Sequence, residues 1–391
     1  MKTGTFWGGA LLVAGTAIGG GMLALPVLTA PGGFFPAILI YILSAFFMGA
    51  TALLFMEVFL WSPQEVNLVS MAQMTLGRAG KIVVWLLYLF FFYSLVVAYI
   101  GGGGNLVREV FVQGSIPLPE WSGALIFVTI LAPIVALGAQ AVDRVNALLM
   151  IGLILSFLIF VFVGVDKIIP SFLIEKTNWP FAFTVTPLIL ASFGFQGTVP
   201  TLTNYLGRDP QKVKKAIFLG VSLTLIVYII WEALILGVVP YSLLQQTLKQ
   251  EQSAVFPLKT VLEAPWLYRI GEFFAFFALV TSFLGVTLGL LDFLADGLKI
   301  KKSGKGRVLL ALLVFVPPLI FAMLNPFIFL TALQYGGGIG GALLLGFFPL
   351  LMTWRGRYHL KFKSEYALKG GRITLTLLFI FLVFALFRML I

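Results

Sequence analysis

The stretch Gly15-Thr16-Ala17-Ile18-Gly19-Gly20-Gly21-Met22-Leu23-Ala24-Leu25-Pro26 sits in the middle of the first apolar run of the chain, residues 5–29. That run is long enough to cross a bilayer, yet it places three consecutive glycines at mid-depth. Each glycine costs a helix about 1 kcal/mol relative to alanine, and Pro26 removes a further backbone donor. A second stretch, in the sixth apolar run, has the same character: Pro187, then Ser192-Phe193-Gly194-Phe195-Gln196-Gly197-Thr198-Val199-Pro200. The two interruptions lie five runs apart. If the second set of five repeats the first, the odd number inverts it in the membrane and the interruptions meet near the centre. Unwound backbone is tolerable in lipid only where a ligand, ion or water satisfies it. The amino ends of half-helices attract a carboxylate, and the carbonyl ends attract an ammonium or a cation. That pair of poles suits a zwitterion. Close helix packing is the alternative use of such glycines, but two breaks with Gly and Pro together favour a binding site.

Composition points to lipid as the solvent. Of 391 residues, 60% are hydrophobic and 10% are charged, with a mean hydropathy of +1.06; soluble domains carry about 25% charged residues. The absence of cysteine excludes a disulfide framework, a thiolate metal site and a cysteine nucleophile. The net charge of +11 does not indicate a nucleic-acid partner, because the basic residues sit in short connections between apolar runs, where they act as topology signals. No small-residue cleavage site ends the first run, so it reads as a span rather than a leader.

A bilayer core of about 30 Å needs roughly 20 apolar residues in a helix. Eleven runs qualify, near 5–29, 34–60, 81–112, 121–139, 145–165, 182–206, 215–239, 266–295, 306–324, 327–353 and 372–391. With a cytoplasmic amino terminus, nineteen Lys and Arg fall inside and seven outside (Arg108, Lys167, Lys176, Lys249, Lys259, Arg269 and Arg388). This predicts a multi-pass inner-membrane protein with an external carboxy terminus. The expected organisation is a first five-helix unit over 1–166, a second over 177–354, and a basic loop with an eleventh helix over 355–391, all in one membrane domain. The connection Pro240 to Pro265 contains two short helix-like pieces, near Ser242–Gln250 and Ala254–Leu262, and reads as a lid or as a plain linker.

Several side chains stand out. On the third helix Tyr93 and Tyr99 precede Gly101 to Gly104, a patch that either leaves room for a substrate ring or packs against another helix. Intramembrane acids are the proton candidates, since removal from water disfavours the charged carboxylate. Glu232 is the deepest; Glu57, Asp292 and Glu272 lie nearer helix ends. Asp296, beside the inner mouth, is placed to pair with Lys2 as a gate. The one histidine, His359, falls in a basic loop and reads as solvated.

The string from Ala14 to Pro26 resembles the first helix of the amino acid–polyamine–organocation superfamily. Together with Ser192-Phe-Gly-Phe-Gln-Gly-Thr-Val-Pro200 and Ser282-Phe-Leu-Gly-Val-Thr-Leu-Gly-Leu-Leu-Asp-Phe-Leu-Ala-Asp296, it is similar to the hydroxy- and aromatic-amino-acid permeases, bacterial tyrosine and tryptophan carriers. The resemblance covers essentially the whole chain. It implies an all-α membrane protein of eleven helices with a LeuT-like fold: two inverted five-helix repeats, discontinuous helices 1 and 6, and one further helix. It also implies import of an aromatic amino acid driven by the proton gradient, with no cofactor. By motif, the backbone of Gly19, Gly20, Gly21 and Met22 would bind the substrate carboxylate. Carbonyls around Ala17, Ile18, Ile189, Leu190 and Ser192 would take the amine, and Phe195 and Gln196 would line the side-chain pocket. Gln196 departs from the family, where histidine is frequent, which puts a proton role there in doubt. In relatives with a sodium site, the matching atoms would be the carbonyls of Gly15 and Ile18 with the hydroxyls of Thr281 and Ser282. The partners implied are an amino acid, a coupling proton or sodium ion, and the bilayer. A sodium-coupled or broader neutral amino acid carrier is the alternative.

A membrane enzyme would need clustered acid, base or nucleophile groups at depth, which one loop histidine does not supply. A channel would repeat a short pore unit across subunits. A twelve-helix facilitator predicts an even span count and no glycine break in its first helix.

Overall fold

The computed structural model describes residues 4–63, 66–262, 265–363 and 365–390. The first apolar run forms α1 (Phe6–Ala17), a 3₁₀ turn (Gly20–Leu23) and the short α2 (Leu25–Thr29). Next come α3 (Phe34–Leu60), α4 (Leu68–Gln113), α5 (Ser122–Leu137) and α6 (Ala139–Gly164). Short helices α7 (Pro170–Ile174) and α8 (Trp179–Ala182) lead into the second interrupted run. It consists of α9 (Thr186–Ser192), a 3₁₀ turn (Gln196–Thr198) and α10 (Val199–Tyr205). Beyond it are α11 (Pro210–Val238), α12 (Tyr241–Lys249), α13 (Leu258–Val261), α14 (Pro265–Leu298) and α15 (Gly304–Leu324). The tenth run starts as α16 (Phe329–Thr331), widens into π-helical turns over Ala332–Ile339 and Ala342–Phe347, and ends as α17 (Phe348–Tyr358); α18 (Gly371–Leu390) follows.

The described residues are helical without a strand, and nine of the helical segments are long and apolar enough to cross a membrane. Phe6–Ala17 and Ser122–Leu137 are shorter apolar helices. In α4, Gly77 adopts φ 75°, ψ −163°, a conformation that favours glycine, and the chain turns there. The segment before it, with Asn67 capping the amide of Ser70, is therefore set apart from the apolar run at 81–112.

Hydrogen bonds between distant segments define two sides. Gly4 N–H donates to Tyr205 O at 2.8 Å, and Arg208 donates to Ser62 O at 2.6 Å. On the other side, Asn178 N–H donates to Gly32 O at 2.8 Å, and Arg388 donates to Pro180 O at 2.7 Å. Pro180 and Tyr205 belong to opposite ends of one span, so residues 4 and 388 lie on opposite faces.

Small residues bring the backbones together. Gly220 of α11 lies under Val13 and Ala10 of α1, where an added Cβ would stand 2.5 Å from Val13 Cβ. Gly9 of α1 faces Leu202 and Ala216 in the same way. This is how membrane helices approach closely without a hydrophobic driving force between them. Glu57, one of the acids expected near a helix end, is buried. Arg357 Nε donates to its Oε1 at 2.6 Å, and the Leu368 amide to its Oε2 at 3.1 Å. Arg357 also donates to Leu368 O at 3.1 Å. The pair ties α3 and α17 to the connection before α18. Replacing Glu57 by Gln leaves a largely buried guanidinium without its carboxylate. The expected cost is about 3 kcal/mol, read as a lower unfolding midpoint of the detergent-solubilised protein and faster proteolysis in the 365–370 segment.

Candidate binding site at the helix breaks

Both interruptions are real breaks in the helical ladder. Ile18 (φ −74°, ψ 104°) and Gly19 (φ −157°, ψ −158°) are extended. In the second run the helix stops at Phe193, and Phe195 adopts φ −140°, ψ 3°. The breaks meet. The hydroxyl of Tyr228, buried on α11, lies 2.8 Å from Ala17 O and 2.8 Å from Ser192 O, so one atom touches the free carbonyl end of each half-helix. Three oxygens there share a single hydrogen, which makes the spot rich in acceptors and poor in donors.

The opposite pole is built from amides. Gly20 N–H donates to Ser282 Oγ at 2.8 Å, and the Tyr99 hydroxyl interacts with Ser282. Among the described residues the amides of Gly19 and Gly21 have no hydrogen-bond partner. Close approach explains the glycines: a Cβ on Gly20 would stand 2.7 Å from the Tyr99 ring, and one on Gly21 would lie 3.0 Å from Ser192 Oγ. A Cβ on Gly19 would run into Ser282 Oγ.

Two further contacts hold the first break. Trp231 Nε1 donates to Met22 O at 3.0 Å. Ala254 N–H, from the Pro240–Pro265 connection, donates to Leu23 O at 2.9 Å. That connection forms α12 and α13 close to the expected pieces, and Ala254, Val255 and Leu258 are buried. One turn beyond Tyr228, Glu232 is fully buried. Tyr41 donates to its Oε2 at 2.7 Å, and Thr29 Oγ1 lies within hydrogen-bond distance of its Oε1.

Other expected site residues are placed elsewhere. Tyr93 donates to Leu313 O of α15 at 2.7 Å and faces away from the breaks. Gly101 lies against Ile328 and Phe329, Gly102 against the Phe329 ring, Gly103 against Phe127 and Gly104 against Ala124. Each of the four glycines therefore lies against a neighbouring segment. Phe195 is buried. Gln196 turns its amide into α3, donating to Met48 O at 3.2 Å and to Thr51 Oγ1 at 3.0 Å. Its carbonyl accepts the Phe195 amide at 3.0 Å, so it lines no pocket. The carbonyls of Ile189 and Leu190 both accept Phe193 N–H at 3.1 Å, which leaves Ser192 O as the acceptor facing the first break. Thr281 bonds its own helix, donating to Phe277 O at 2.8 Å. A Cβ at Gly15 would meet only Met150 within 4 Å. Asp296 is exposed, and Lys2 lies outside the described residues. Asp292 pairs with Lys302 at 2.7 Å, and Glu272 accepts from Gln113 at 3.0 Å.

Sequence reasoning missed Tyr228, Trp231, Tyr41 and Thr29. A signal was present. Tyr228, Trp231 and Glu232 stand at i, i+3 and i+4, so three hydrogen-bonding side chains share one face of an apolar helix.

The family model described as tryptophan/tyrosine permease matches residues 2–388. The chain is 33% identical over 396 residues to a tryptophan-specific transport protein of Haemophilus influenzae, covering 97% of this chain and 94% of that one. It is 31% identical to tyrosine-specific transport system 1 of the same organism, over 95% and 93% of the two chains. A tryptophan-specific transport protein of Pseudomonas aeruginosa is 32% identical, over 88% and 85%. These relatives are named as transport proteins rather than enzymes, and with a match that runs almost end to end the chain belongs to the tryptophan/tyrosine permease family.

Proposed function

We propose that this protein imports tryptophan or tyrosine as a secondary active transporter, by proton symport through alternating access. The observation that carries the reading is the single hydroxyl of Tyr228 between the carbonyls of Ala17 and Ser192. It puts two free carbonyl ends within one hydrogen-bond length of a common atom, at the depth where both spans are unwound. The amides of Gly19 to Met22 lie just beyond Ala17 along the same break. A substrate ammonium takes the acceptor-rich pole, and its carboxylate takes the glycine amides.

The fold reading is eleven crossings in two inverted five-helix units, over 1–166 and 177–354, with α18 as the eleventh. The nine long apolar segments, the two shorter ones and the opposite placement of the chain ends support it. The bias of Lys and Arg toward the face of residue 4 supports a cytoplasmic amino terminus and an external carboxy terminus in the inner membrane. The connection hydrogen-bonded to Leu23 O is then the external lid. On the cytoplasmic side Gly15 and Thr16 are exposed, and nothing stands within 4 Å of a Cβ at Gly197 or Gly285, as befits an inward path. Proton coupling is favoured over sodium because Ser282 is engaged by Gly20 and Thr281 by its own helix. Glu232 is the buried acid available to carry the proton, and Asp296 with Lys2 remains the candidate inner gate.

In proteoliposomes, an inward proton gradient is expected to concentrate labelled tryptophan or tyrosine and a sodium gradient is not; accumulation on sodium alone rules out the symport. Gly20→Ala pushes a methyl into the Tyr99 ring and is expected to reduce uptake by roughly tenfold or more, since about 1.4 kcal/mol is one decade. Tyr228→Phe removes the strut between the breaks. Hydrogen bonds to charged groups contribute about 1.5–3 kcal/mol, so KM is expected to rise at least roughly tenfold. Analogues lacking the α-amine should be affected less, which competition assays read directly.

A further inference from the structure

We infer that Glu232, Thr29 and Tyr41 form a proton-binding site in which Glu232 holds the proton in this conformation, and that losing it withdraws the Thr29 hydroxyl from Leu25 O in α2, the outer half of the first broken span. The role in transport rests on the symport reading above; the protonation itself rests on counting hydrogens.

Three oxygen–oxygen contacts at hydrogen-bond distance form a chain. Tyr41 Oη lies 2.7 Å from Glu232 Oε2, Glu232 Oε1 contacts Thr29 Oγ1, and Thr29 Oγ1 lies 2.7 Å from Leu25 O. Each contact needs one hydrogen. Tyr41 supplies one and Thr29 supplies one, while the Leu25 carbonyl has none to give. The third comes from Glu232. With a proton on Oε1, the order closes without a gap: Tyr41 donates to Oε2, Oε1 donates to Thr29, and Thr29 donates to Leu25 O.

The surroundings leave a carboxylate without compensation. Tyr41 and Tyr228 are the titratable groups that face Glu232, their rings 6.2 Å apart. α1, α2, α7 and α10 carry no Asp, Glu, Lys, Arg or His. On α3 the acid is Glu57, held by Arg357 at the far end. Asp143 and Arg144 of α6, Asp166 and Lys167 after it, and Lys249 of α12 are exposed. Lys176 sits over the Tyr241 ring. Lys212, Lys214 and Lys215 of α11 are at its opposite end. A bare charge with no exposed surface and no counter-ion is costly.

The consequence reaches the break. Release of H⁺ to water turns Glu232 from donor to acceptor. Thr29 must then give its one hydrogen to the carboxylate, and its bond to Leu25 O is lost. Leu25 and Thr29 are the two ends of α2, a five-residue helix behind the glycine run.

Infrared spectra of the purified full-length protein at neutral pH test the count. A protonated-carboxyl C=O band is expected in wild type and absent from Glu232→Gln. Thr29→Val, which keeps the acid and removes the acceptor of its hydrogen, should move that band to higher frequency. Absence of the band at neutral pH, or a band indifferent to both substitutions, overturns the assignment. In proteoliposomes under a proton gradient, Glu232→Gln should lower accumulation roughly 5–150-fold, with a much smaller fall in counterflow. Undiminished accumulation refutes the proposed role. Wild type driven by sodium alone removes the symport reading instead, and the infrared bands still decide the protonation.

Discussion

Backbone amides and carbonyls that leave a helix inside a membrane must find partners, because lipid supplies none. The first broken span frees Ala17 O, Gly20 N–H, Met22 O and Leu23 O within seven residues, and each is answered from a different part of the chain. Two of the four partners come from α11. That helix packs along α1 through glycines on both sides, so its side chains reach the break as a row. The geometry of the site is in this sense a property of the α1–α11 contact.

The same contact explains why the broken backbone, the Pro240–Pro265 connection and the buried acid fall together. Tyr228, Trp231 and Glu232 address the break on its carbonyl side, on the Met22 carbonyl and on α2 in turn. The Pro240–Pro265 connection reaches the next carbonyl, Leu23 O, through Ala254. A change in any one partner alters the register of a short, glycine-rich segment rather than that of a long helix. Long helices resist such changes because their hydrogen bonds are cooperative. The Glu57–Arg357 pair, on the face of residue 4, fixes α3 and α17 and does not touch the breaks.

Side-chain hydroxyls do much of the satisfying. Ser282 accepts from Gly20, and Tyr228 spans two carbonyls with one hydrogen. Such partners are weaker and more exchangeable than a second helix turn would be. Aromatic packing around Tyr228, with Phe193 at 5.0 Å and Tyr41 at 6.2 Å, holds the hydroxyl in place through the ring rather than through its polar end.

Nine apolar segments long enough to cross a membrane, the two breaks, the Glu232 acid and two short helices in the Pro240–Pro265 connection were legible in the sequence. Each depends on local chemistry: apolar length, glycine and proline placement, charge, or helical spacing. What the chain could not announce is direction. Gly101 to Gly104 read equally well as a pocket or as a packing surface, and only the position of Phe127, Ala124 and Phe329 decides it. Gln196 and Tyr93 look like pocket residues, yet helix rotation turns them toward α3 and α15. Thr281 satisfies itself on its own helix while its neighbour Ser282 reaches across to Gly20. The backbone breaks follow from the residues that make them. Their partners are set by how helices distant in sequence rotate and pack against one another, which no single segment encodes.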